Sequence, residues 1–68
     1  MKQHDKIIEY MQTHGTVTPM EAFSKLRITK LATRVGELRQ GGWNIADEWV
    51  RGRDGDGMPT RYKRYWLV

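Results

Sequence analysis

Gly41 and Gly42 divide the sequence into two regimes of hydrophobic spacing, and this division constrains the fold more than any other feature. Before the pair, apolar residues recur every three or four positions. After it, they alternate. The first pattern buries one stripe of a helix and the second buries one face of a strand. A chain of 68 residues that changes period once reads as a single domain over residues 1–68, helices first and strands last. With no Cys there is no disulfide framework, and two His without Cys argue against a structural zinc site. The core must come from packing alone, with three Trp, three Tyr and one Phe supplying much of its area. So small an interior leaves little room for an enclosed catalytic pocket, which counts against an enzyme; no cofactor is expected.

Ile7, Ile8 and Met11 form the buried stripe of a first helix from about Asp5 to His14. Asp5 sits near its positive end, and Gly15 can take the left-handed cap. "TVT" at 16–18 reads as an extended connection or a minimal strand. "TPME" at 18–21 is the clearest local signal: Thr18 as N-cap, Pro19 in the first helical position and Glu21 where a capping box wants it. A short second helix then runs to about Leu26, burying Ala22, Phe23 and Leu26. "RIT" turns the chain, and Thr29 caps a third helix from Lys30 to Gln40 that the glycine pair stops.

Beyond the glycines, "GWNIADEWV" alternates roughly as a strand, "RGRDGDGMP" is a charged Gly-rich loop, and "TRYKRYWLV" alternates again. In the last run Tyr65 and Leu67 share one face, and Arg64 and Trp66 share the other, with Trp66 expected to point away from the core. Two such strands around a polar loop make a β-hairpin with more than a two-residue tip. The fold class is therefore α+β, a winged helix-turn-helix of three helices followed by a β-hairpin wing.

The formal net charge of +4 and a pI near 9.8 favour an anionic partner, of which nucleic acid is the commonest for a basic module. On the third helix, Leu31, Val35 and Leu38 fall within about 60° of one another and face the core. Lys30, Thr33, Glu37 and Gln40 cluster opposite, with Arg34 and Arg39 on the shoulders. For an isolated helix the usual meaning of such a face is solvation, with Arg34 and Glu37 as a weak i,i+3 pair. Here the helix follows a capped short helix through a three-residue turn, the spacing that sets a recognition helix into the major groove. Lys30 and Arg34 can then donate to guanine, Thr33 can meet a base or a thymine methyl, and Glu37 can accept from cytosine. Thr29 stands where helix N–H groups can bind a phosphate.

Ala32 and Gly36 lie together on one flank, where they would admit another backbone. Arg51, Arg53, Arg61, Lys63 and Arg64 crowd the hairpin, where a wing meets phosphates or the minor groove; simple protection of an edge strand by charge is the alternative. RNA is disfavoured, because few aromatics suited to stacking interleave the basic face.

Other signals carry less. "DGDG" at 54–57 resembles the start of a calcium loop, but the fifth and twelfth positions are Met58 and Tyr65, which removes the necessary ligands. His4 and His14 stand ten apart at angles that do not converge, so no metal is expected. No apolar run approaches the roughly 20 residues that cross a membrane, and the N-terminus lacks the apolar centre of a secretory signal. A membrane partner is not expected, and the lack of Cys fits the cytoplasm of a bacterial host cell.

"IIEYMQTHGTVTPMEAF", "LATRVGELRQGGWNI" and "RYKRYWLV" together resemble a family of short winged helix-turn-helix proteins common in bacteriophages and prophages. Thr18, Pro19, Glu21, Ala22, Leu31, Ala32, Arg34, Val35, Glu37, Leu38, Arg39 and Gly42 match its pattern; Gly36, where many members carry a small polar residue, departs from it. The resemblance implies a DNA-binding fold and a job as a small regulator or accessory factor. It also implies that Arg34 and Arg39 belong to the shared framework or to phosphate contacts, leaving Lys30 and Thr33 for specificity. One module buries about 600–1,000 Å² on DNA, so a homodimer or cooperative oligomer on double-stranded DNA is expected. The competing expectation is a protein-interaction module with a host or phage protein partner, favoured by exposed Trp66 and by Asp47 and Glu48.

Overall fold

In the computed structural model, which describes residues 2–68, helices α1 (Gln3–His14), α2 (Pro19–Leu26) and α3 (Leu31–Gln40) precede strands β1 (Ile45–Arg53) and β2 (Pro59–Leu67). β1 and β2 form an antiparallel hairpin with Ile45 opposite Leu67, Trp49 opposite Lys63 and Arg53 opposite Pro59. Val17 adds a one-residue third rung on the far edge of β2, exchanging both backbone hydrogen bonds with Tyr65 at 2.8 and 2.9 Å. This is the winged helix-turn-helix architecture expected from the order of elements.

The local reasons are visible at each boundary. The Gly15 N–H closes α1 on the Met11 carbonyl with φ at 89°, a conformation that disfavours side chains. Thr18 accepts from the Glu21 backbone N–H while the Glu21 carboxylate accepts from the Thr18 N–H, so the capping box is complete. Glu21 also accepts from the Tyr10 hydroxyl at 2.9 Å, which fastens the start of α2 to α1.

The core lies where the three helices meet the base of the hairpin. Ile7, Ile8 and Met11 of α1, Ala22 of α2, and Leu31, Val35 and Leu38 of α3 are buried against Val17, Ile45 and Tyr65. Leu26 is partly buried against this cluster. Two details differ from expectation. Phe23 is 57% exposed, whereas Ile28, in the turn, is 1% exposed. The reason is backbone: Arg27 adopts the left-handed conformation at φ 60°, and the Ile28 N–H then bonds to the Ala22 carbonyl at 2.9 Å. The turn swings Ile28 inward to fill the space between α2 and α3, and Phe23 is left outside.

The hairpin is longer than "RGRDGDGMP" suggested. Arg51, Gly52 and Arg53 are paired strand residues, and only residues 54–58 form the tip. Asp54 organises that tip by accepting from the N–H groups of Asp56 and Met58.

Gly36 has no packing partner: a Cβ there would meet nothing within 4 Å beyond its own helix. Mid-helix glycine costs about 1 kcal/mol against alanine. Gly36→Ala should accordingly raise the melting temperature by about 4–8 °C, measured by circular dichroism. A fall would mean that the flank meets a backbone during folding or assembly.

Candidate nucleic-acid interface

The third helix begins one residue later than expected. Lys30 is its N-cap, with φ −121° and ψ 60°, and no side chain caps the helix, so Thr29 does not serve as the cap. Thr29, Lys30 and Thr33 are all exposed, and none has a side-chain hydrogen bond or ion pair among the described residues. They form an open polar surface at the start of α3, beside the turn that Ile28 anchors.

Arg34 and Glu37 are not open in this way. Arg34 Nη1 donates to Glu37 Oε1 at 2.8 Å, the i,i+3 pair read from the sequence. His4 of α1, which no spacing rule indicated, donates to the same oxygen at 2.7 Å. The His4 hydrogen bond first, and the Arg34 charge after it, hold the Glu37 carboxyl below the ordinary carboxylate range against the opposing effect of desolvation. Glu37 is thus engaged as an acceptor within the protein, and it ties the middle of α3 to the start of α1.

Arg39 joins α3 to the wing. Its guanidinium donates twice to the Ile45 carbonyl, at 3.0 and 2.7 Å, and once to Asp47 Oδ2 at 2.7 Å. Lys63 Nζ stands 3.6 Å from the other Asp47 oxygen. The Arg39 hydrogen bond first, with the Lys63 charge adding, lowers the Asp47 pKa despite desolvation.

Alternation along the hairpin then sorts the basic residues. Asp47, Trp49 and Arg51 of β1 share a face with Arg61 and Lys63 of β2, continuing the core-facing side of Ile45 and Tyr65 beyond the core. Arg64 lies on the opposite face from Arg51, Arg61 and Lys63 and is ion-paired with Glu48. Arg53 donates to the Gly57 carbonyl at 2.8 Å and shapes the tip. The Arg51 side chain has no ion pair or hydrogen bond among the described residues, and Arg51 stands directly opposite Arg61.

Sequence reasoning missed Trp49. Trp49 is 59% exposed, and Arg61 and Lys63 lie 4.9 and 5.2 Å from its ring centroid. The signal was available, since Trp49 has the parity of Ile45 and Asp47. Trp66, expected to be exposed, is half-buried opposite Ala46.

No described helix is long and apolar enough to cross a membrane. No characterised protein and no solved structure gives a significant match to the chain. A family model described as a winged helix-turn-helix domain matches residues 2–68, essentially end to end. With that match and with three helices followed by an antiparallel hairpin, the chain belongs to the winged helix-turn-helix family, a DNA-binding fold.

Proposed function

We propose that this chain binds double-stranded DNA with sequence preference, as a small transcriptional regulator or an excisionase-like architectural factor of a phage or prophage. The start of α3 enters the major groove, where Lys30 and Thr33 meet base edges and Thr29 meets a phosphate. Arg34 and Glu37 act from the middle of the helix as a mutually paired unit. The wing lies on the backbone or minor groove through Arg51, Arg61 and Lys63, supported by Arg53 at the tip and Arg64 on the outer face. It works by occupancy, as a dimer or cooperatively on repeated sites.

The observation that carries this reading is the Arg51–Arg61 pair. Like charges directly opposite on a hairpin destabilise it. An unpaired arrangement of this kind on the wing of a DNA-binding fold is relieved by a polyanion. Replacing Arg51 and Arg61 together by alanine should weaken binding to all duplexes alike. It should also flatten the dependence of log K on log salt by roughly 2. Fluorescence anisotropy at several salt concentrations measures both.

Selection from random duplex DNA, followed by titration of the winners, tests the function as a whole. An enriched motif with a steep salt slope supports a regulator, and binding without enrichment supports the architectural form. A second reading has its own observation. Met20 and Phe23, 73% and 57% exposed, share one face of α2 beside a groove bounded by Tyr62. Such a surface suits a protein partner. Absence of duplex binding even at about 50 mM salt, where phosphate contacts are strong, moves the function to that face.

A further inference from the structure

Trp49 is an expensive residue to leave in water, and its place among the wing cations is specific. It is directly opposite Lys63, with Arg61 on the adjacent same-face position of β2. Both cations lie within about 5 Å of its ring centroid, the range in which a cation is attracted to an indole face. The residue nevertheless remains 59% exposed. The two cations are anchored two residues apart on one strand, so their backbone positions are separated by about 6.6–6.8 Å. The group is an aromatic ring partly open to solvent, with two cations beside it two positions apart on β2, one of which, Lys63, also stands 3.6 Å from Asp47.

Such a combination suits a nucleotide, but not one in an intact duplex. Paired bases keep their faces covered by their neighbours and offer a protein only their edges. An unpaired base has a free π face, and stacking on an aromatic side chain with cations on the backbone is how single strands are held. We infer that Trp49 is a stacking seat for one unpaired nucleotide of a DNA strand, with Arg61 and Lys63 taking the phosphates that flank it. This goes beyond duplex recognition by α3 and does not depend on it: the wing acquires a preference for DNA that is locally opened or single-stranded.

The test uses the full chain with two readouts. In the first, Trp43→Phe and Trp66→Phe leave Trp49 as the sole tryptophan. A 16-nucleotide oligothymidylate should quench its emission, and a blunt duplex should not. In the second, anisotropy compares the intact protein with Trp49→Ala and Trp49→Phe on three probes: the oligothymidylate, a blunt duplex, and the same duplex carrying a three-nucleotide bulge.

Trp49→Ala should weaken binding to the oligothymidylate and the bulged duplex by about tenfold, leave the blunt duplex within about twofold, and be largely rescued by Trp49→Phe. Absence of quenching overturns the inference, as does an equal loss on all three probes, the signature of a ring that merely supports Arg61 and Lys63. If the doubly substituted protein does not fold, the anisotropy comparison decides alone. Blunt-duplex binding by the intact protein reports separately on the proposed function, so either reading can fail without the other.

Discussion

Ile28→Ala should remove about 2–5 kcal/mol of stability, the usual cost of emptying a fully buried isoleucine site. A domain of this size has about 3–10 kcal/mol in total, so the variant should be largely or marginally unfolded at 25 °C, with its urea midpoint displaced far to the left. The effect is large because of where the side chain sits. Ile28 is 1% exposed and lies in the turn between α2 and α3, packed with Ala22, Leu31 and Val35 in one cluster. The turn backbone is held by the Ile28 N–H bond to the Ala22 carbonyl, which opposes collapse of the turn itself into the vacated space. Phe23→Ala is the matching control. Phe23 is larger and more hydrophobic but 57% exposed, and its replacement should change stability by no more than about 0.5 kcal/mol. Equal losses from the two variants would mean that the turn is packed differently.

Lys30→Ala and Thr33→Ala should each cost about 1–3 kcal/mol on the preferred duplex and much less on an unrelated one. Their side chains are exposed and have no partner within the described residues, so truncation leaves no buried group unsatisfied and should leave the melting temperature nearly unchanged. That separation between stability and binding makes the pair informative. The measurement is competition between the selected site and single-base variants of it. A change in the rank order of those variants assigns the residue to base reading. A uniform loss across all of them, with a shallower salt slope, assigns it to the backbone, and no loss removes the start of α3 from the interface.

Much of the architecture was legible because it depends on short-range chemistry. Thr18, Pro19 and Glu21 announce the start of α2 within four residues, Gly15 and the Gly41–Gly42 pair end helices, and residue parity places Arg61 and Lys63 with Tyr65. Errors arose where tertiary geometry chooses between local alternatives. Phe23 and Ile28 are both apolar and both near the end of α2, and only the left-handed backbone at Arg27 decides which one turns inward. Thr29 is a good capping residue by type, yet the helix starts after Lys30 without a side-chain cap.

The polar site was less legible than the fold. His4 reaches Glu37 across 33 positions of sequence, and Arg39 reaches Asp47 across a glycine pair and a change of secondary structure. No periodicity connects such residues. The aromatic member of the wing is legible only with the register in hand: Trp49 stands opposite Lys63 and within about 5 Å of Arg61 and Lys63.

The Arg39 contact has a consequence for how a target site can vary. By gripping the Ile45 carbonyl and the Asp47 carboxylate together, it splices the last turn of α3 to the first residues of β1, and the two glycines between them no longer act as a hinge. In the proposed docking, helix and wing act as a caliper whose opening the Arg39 contacts hold. A caliper does not stretch to follow its object, so inserting one base pair between the segments touched by helix and wing should be met by distortion of the DNA, at the DNA's elastic cost. Under the proposed docking of α3 and the wing, spacing within the site becomes as much a part of its identity as the bases themselves.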